Sequence, residues 1–234
     1  MSKEHLAVMI QESIKKYGDK TAMRYKESGQ WKAISYQALG EKIQATAKAL
    51  LEEGIQEGDM IGVFSPNMPM WAIADFAILS INAVSVPIYA TNTAKQTEYI
   101  VGDADIKIVF VGDQIEYDKV LSFLPSQRQL KKIIAFDSDI TPQGSESISM
   151  EDFLKRGRQS PKSAEVEKKI SDGQTDEIAT LIYTSGTTGD PKGAVLTHSN
   201  FFNQFAALDE RFNVGTNDKS LCFLPLSHAY ERTW

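Results

Sequence analysis

The sequence predicts an α/β fold: a mostly parallel sheet with helices on both faces. Two patterns carry that expectation. From residue 60 onward, short apolar runs alternate with stretches of helical length, the order that builds strand–helix–strand units and a largely parallel sheet. The first of these runs, residues 60–64, is a short continuous apolar stretch, as a buried strand requires. The chain has 234 residues, 42% of them hydrophobic and 24% charged, so it can bury a core and has the composition of an ordinary soluble globular protein.

Taken in order, residues 5–17 place Leu6, Met9, Ile10 and Ile14 on one helical stripe. Residues 21–25 and 31–35 read as a hairpin turning at Ser28-Gly29. Ser35 can cap a second amphipathic helix through Leu51, closed by Gly54. After the strand at 60–64, the pattern predicts a helix at 68–81, a strand at 84–89, a helix at 94–101, a strand at 106–111, a helix around 117–123 and a strand at 132–136. Residues 1–137 thus read as a first α/β lobe. Over 138–176, Ser, Gln, Pro, Gly and Lys dominate except for a helical piece near 150–154, and this reads as a polar connecting region. Residues 177–234 resume the order with a strand at 178–183, a Gly/Thr-rich loop, a strand at 194–196, a helix at 200–212 and a strand at 220–224. Asn67, after Ser65-Pro66, reads as the N-cap of the 68–81 helix in preference to a ligand contact.

Composition removes several function classes. The 25 basic and 31 acidic side chains leave a formal charge of -6, which disfavours wrapping nucleic acid or an anionic membrane. The single cysteine, Cys222, can form no intramolecular disulfide, and the three histidines, His5, His198 and His228, form no Cys/His cluster of zinc-site spacing. A cytoplasmic, reducing location fits, with neither a signal peptide nor a transmembrane span in the pattern. The cluster Lys155-Arg156-Gly157-Arg158 can touch lipid headgroups peripherally, although solvated surface charge is the commoner reading.

The chemistry concentrates in YTSGTTGDPKG, residues 183–193. Four hydroxyl side chains (Thr184, Ser185, Thr187, Thr188), three glycines (Gly186, Gly189, Gly193) and Lys192 follow an apolar strand directly. Glycines let backbone approach a ligand closely, N–H and hydroxyl groups suit phosphate oxygens, and the lysine supplies a mobile positive charge. A plain turn at Gly189-Asp190-Pro191 needs none of these hydroxyls. The Walker-A pattern fails because Gly193, not Ser or Thr, follows Lys192 and a strand pattern comes next.

At these residues the sequence resembles the adenylate-forming superfamily of acyl-CoA synthetases, luciferases and peptide-synthetase adenylation domains, whose signature matches throughout residues 183–193. A second patch, FLPLSHAYERTW at 223–234, is similar to the form found in long-chain fatty acyl-CoA synthetases. The resemblance implies a chain belonging to the N-terminal part of a large adenylation domain, incomplete and without the C-terminal domain. It implies a two-step reaction: a fatty acid carboxylate attacks ATP to give acyl-AMP and pyrophosphate, then coenzyme A displaces AMP. Thr184, Ser185, Gly186, Thr187, Thr188, Gly189 and Lys192 would hold the nucleotide phosphates, Lys192 acting catalytically at the pyrophosphate end, and Thr184 would help to hold Mg²⁺. Thr184 alone makes a sparse metal site. His228 would lie beside the reacting carboxylate; without the resemblance it reads equally as the cap of a helix start after Pro225.

The resemblance further implies that a glutamate, a ribose-binding aspartate and a C-terminal lysine belong to segments beyond these residues, so the expectation is an inactive fragment of a longer ligase. Other adenylate-forming ligases (medium-chain, aryl or carrier-protein-directed) and a non-catalytic nucleotide-binding module remain the alternatives.

Overall fold

The structure, a computed structural model, describes residues 4–184 and 190–233. Helix α1 (Leu6–Tyr17) starts at His5, whose imidazole accepts the Ala7 N–H. Strands β1 (Thr21–Glu27) and β2 (Gln30–Ser35) form the expected antiparallel hairpin. Its turn places Ser28 and Gly29 at positive φ, 47° and 80°, the left-handed pair that a two-residue hairpin demands. Ser35 caps α2 (Tyr36–Glu52) by accepting the Ala38 N–H, and Gly54 (φ 82°) ends it.

The main sheet then assembles. Strand β3 (Met60–Phe64), helix α3 (Pro69–Leu79), β4 (Val84–Ile88), α4 (Ala94–Asp103), β5 (Ile108–Val111), α5 (Gln114–Phe123) and β6 (Lys132–Ala135) follow the alternation read from the sequence. Strand β7 (Ser147–Ser149), α6 (Met150–Gln159), α7 (Ser163–Asp172), β8 (Ile178–Thr184), β9 (Lys192–Thr197) and α8 (His198–Asp209) complete it. Among the described residues, seven strands lie in the order β7-β6-β5-β3-β4-β8-β9. Each neighbouring pair is parallel except β8 with β9. Both faces of the sheet are covered: α1, α2, α3, α6 and α7 share one apolar cluster, while α4 and α5 pack in a second. Strand β3 illustrates the cost of a side chain buried on both sides, since Ile61, Val63 and Phe64 have no measurable exposure.

Three local readings change. Residues 138–176, expected as a polar connection with one helical piece, carry β7, α6 and α7. Met150, Phe153, Leu154, Val166 and Ile170 are buried in the core, because the polar residues that dominate the composition sit on the outer faces of two amphipathic helices. Helix α6 lies so close to α2 that a Cβ at Gly157 would fall 1.8 Å from the Ala45 carbonyl oxygen. The expected strand at 220–224 is irregular: Leu221 and Phe223 are exposed and the segment pairs with no strand among the described residues. Its backbone is held by a side chain instead. Finally, the N-cap of α3 is Met68, without a side-chain cap bond, and Asn67 is engaged elsewhere.

The start of the described chain meets the start of α8 at a pair of histidines. The rings of His5 and His198 stack with centroids 3.7 Å apart, both residues are buried, and His198 Nδ1 accepts the Leu6 N–H at 3.3 Å. The start of α1 is thereby joined to the start of α8.

Two predictions follow from this packing. Gly157→Ala forces backbone apart and is expected to destabilise the fold by about 1–3 kcal/mol, read as a lowered urea midpoint at an unchanged slope. Burial first, then the neighbouring His5 and Arg232, lowers the His198 pKa from 6.5 to about 3. Between those values the unfolded chain takes up a proton that the folded one refuses, so stability falls as pH drops through the window, at about 1.4 kcal/mol per pH unit from this group. Urea titrations from pH 6.5 to 4 should show the native chain losing stability more steeply than His198→Gln by about that slope.

Candidate functional site

The antiparallel β8–β9 hairpin positions the Gly/Thr-rich loop at the carboxyl end of β8, the edge of a parallel sheet where ligand sites gather. Ser185, Gly186, Thr187, Thr188 and Gly189 lie outside the described residues. The foot of the loop is defined: Thr184 and Lys192 are direct cross-strand partners, and both are exposed. Directly opposed residues share a face, and the face alternates along each strand. Thr180, Ile182 and Thr184 of β8 therefore project with Leu196, Ala194 and Lys192 of β9. Tyr183 projects to the other side.

Tyr183 is 5% exposed and donates its hydroxyl to Asp103 Oδ2 of α4 at 2.5 Å. Burial, then the Asp103 carboxylate, holds the phenol far above its ordinary pKa, so it stays a neutral donor. The motif's aromatic residue thus ties the strand that enters the loop to α4, while the next residue offers its hydroxyl on the opposite face.

On the Thr184 face, a pocket of about 260 Å³ lies among Leu196 of β9, Asn200, Phe201 and Gln204 of α8, and Ala229, Tyr230 and Thr233. The segment that supplies the last three also carries His228. That histidine is exposed; its N–H donates to the Pro225 carbonyl at 2.9 Å and its Nδ1 accepts the Tyr230 N–H at 3.2 Å. An accepting Nδ1 puts the neutral ring's proton on Nε2. His228 does cap a local turn, ahead of a 3-10 turn at Glu231–Thr233, and the same bond leaves its Nε2 edge available for a ligand. No hydrogen bond among the described residues joins His228 to Thr184 or Lys192; Thr184 and Lys192 are brought together and His228 stands with the pocket.

Arg232 anchors this arrangement from beneath. Its guanidinium makes two bonds to Asp75, at 2.8 and 2.9 Å, and one to Thr180 Oγ1 at 2.8 Å. The two side chains of the ion pair are only 4% and 7% exposed. The guanidinium also lies over the rings of Trp71 and Phe201, 5.5 and 5.3 Å from their centroids, and Phe201 lines the pocket. Thr180 in turn donates to the Ser85 carbonyl of β4 at 2.7 Å. Sequence reasoning passed over Asp75, Thr180, Asp103 and the task of Asn67. For Asp75 a signal existed: it is the one charged residue in the helix PMWAIADFAIL.

The profile of the family described as AMP-binding enzyme matches residues 10–234. The chain belongs to the AMP-binding enzyme family. Among curated relatives of this family, a long-chain-fatty-acid–CoA ligase of Xenopus laevis is 31% identical over 224 residues, covering 94% of this chain and 30% of its own length. Fatty acyl-CoA synthetase A of Dictyostelium discoideum is 34% identical over 216 residues, covering 87% of this chain and 31% of its own. The chain spans about a third of the length of the relatives it matches. Solved structures agree on the fold. The adenylation and carrier didomain of carboxylic acid reductase from Segniliparus rugosus, bound to AMP, superposes with a TM-score of 0.81 at 20% identity, over 98% of this chain and 37% of that one. A putative long-chain-fatty-acid CoA ligase from Rhodopseudomonas palustris gives 0.79 at 21% identity, over 98% and 53%.

In this chain, removal of either partner of the Asp75–Arg232 pair strands a buried charge. Arg232→Met is expected to cost about 3–5 kcal/mol, measured by chemical denaturation, and Asp75→Leu combined with Arg232→Met should recover most of it.

Proposed function

We propose that the chain supplies the phosphate-binding loop and part of the acyl site of an AMP-forming long-chain fatty acid–CoA ligase. One observation carries the reading: the Thr184–Lys192 pair at the foot of the loop and Leu196 in the pocket wall project from the same face of one hairpin. A phosphate held at the loop and an apolar chain held by α8 then lie on one side of the sheet. The names of the relatives support long fatty acids as the substrate class. At about 260 Å³ the pocket falls just below the roughly 300–1,000 Å³ usual for small-molecule sites, so it suits part of a long acyl chain.

In this reading the substrate carboxylate attacks the α-phosphate of ATP, forming acyl-AMP and releasing pyrophosphate; the thiol of coenzyme A then displaces AMP. Lys192 and the loop hydroxyls hold the leaving pyrophosphate, a role of positioning and charge stabilisation. His228, with Nδ1 engaged by the Tyr230 N–H, presents Nε2–H toward the carboxylate end of the acyl group. The exposed Thr184 hydroxyl offers one hard oxygen that fits Mg²⁺, and no group of three or more His, Cys, Asp or Glu among the described residues could hold a metal. A magnesium ion would therefore complete its shell from phosphate oxygens and water, where it would neutralise phosphate charge. A cytoplasmic location with at most peripheral lipid contact belongs to the same reading, supported by the net charge of -6; no helix among the described residues is long and apolar enough to cross a membrane.

The test is pyrophosphate release from ATP, Mg²⁺ and palmitate by the protein that carries this sequence, beside its Lys192→Ala variant. Palmitate-dependent release, with kcat/KM lowered about a hundredfold or more in the variant, is the expected result. Equal release by the variant would remove Lys192 from the mechanism, and no release with any fatty acid would refute the ligase reading.

A further inference from the structure

Among the described residues, the segment that bears His228 forms no strand or helix before the turn at Glu231–Thr233. His228 N–H to Pro225 and Tyr230 N–H to His228 Nδ1 shape the turn, but they do not place it on the protein. Among the described residues, one stretch, the loop before α3 and α3 itself, sends a side chain to each end of the segment, and Thr180 of β8 joins Asp75 at the far end.

One is Asn67. Its Nδ2 donates to the Leu224 carbonyl at 2.7 Å and reaches Cys222 Sγ at 3.4 Å, while its Oδ1 accepts the Leu226 N–H at 2.8 Å. The carbonyl before Pro225 and the N–H after it are the two groups that a parallel strand would engage across from Pro225. The amide thus stands in for a missing strand neighbour. It is free to do so because the N-cap position of α3 falls on Met68, one residue further on. The other is Asp75, which receives Arg232 at the far end of the segment. His228, Ala229 and Tyr230 fall between the two fixed points.

We propose that Asn67 is a positioning residue of the acyl site, setting with Asp75 where His228 and the Ala229–Tyr230 wall of the pocket stand. The inference rests on the ligase reading for its substrate but not for its geometry. Asn67 is exposed, so it can be replaced without opening the core, whereas Asp75 cannot.

The experiment titrates palmitate, and separately ATP, into the protein that carries this sequence and into its Asn67→Ala and Asn67→Asp variants, alongside amide hydrogen exchange and thermal melting. Loss of two hydrogen bonds in Asn67→Ala should speed exchange at Leu226 to Tyr230 about tenfold and weaken palmitate about tenfold. ATP affinity and the melting temperature should stay close to those of the unsubstituted chain. Asn67→Asp keeps the acceptor for Leu226 N–H and loses the donor to Leu224, so it should fall between them. Unchanged exchange over these residues in Asn67→Ala would overturn the anchor; faster exchange with unchanged palmitate affinity would overturn the positioning role. An unsubstituted protein that carries this sequence yet binds no fatty acid would count against the ligase reading, and exchange alone would then decide the anchor.

Discussion

The buried pair between Asp75 and Arg232 joins four pieces of the protein at one point. Asp75 belongs to the apolar helix α3, Thr180 to the strand that leads into the phosphate loop, Phe201 to α8 and Arg232 to the segment after it. Two desolvated charges are costly by themselves, and a pair of this kind adds little net stability over well-packed apolar residues. Its value is directional. A bidentate guanidinium accepts one orientation, and two aromatic faces further limit where it can lie. An apolar contact at the same place would hold the layers together without specifying how the last segment sits on them.

The alternation of strands and helices was legible because parallel strands buried on both faces need continuous apolar runs, and β3 and β5 show them plainly. Ser35, Ser28-Gly29 and Gly54 were legible because their tasks are local. Residues 138–176 misled because composition hides periodicity: Phe153, Leu154, Val166 and Ile170 are few among polar neighbours, yet they fall on the faces that α6 and α7 bury. Leu221 and Phe223 misled in the opposite way, since apolar residues suggest a strand only if a strand edge is there to receive them.

The candidate site divides along the same line. Residues 183–193 gather their glycines, hydroxyls and lysine in one contiguous stretch. The partners that orient the stretch are distant in sequence: Asp103 for Tyr183, Asp75 for Arg232, Asn67 for Leu224 and Leu226. Asn67 in particular has a respectable local explanation as a helix cap, and only its long-range geometry displaces that explanation. Local chemistry can be read from adjacent residues, but orientation requires the fold.

The hairpin form of the loop places a parity rule on its evolution. Thr184 and Lys192 share a face because the strands that carry them are in register, and each residue added to or removed from a strand reverses every side chain beyond it. One inserted residue between Thr180 and Thr184 would turn the hydroxyl toward α4 and bring Tyr183 to the ligand side. Lineages of this protein should therefore admit only even-numbered changes of length in the arms of the hairpin.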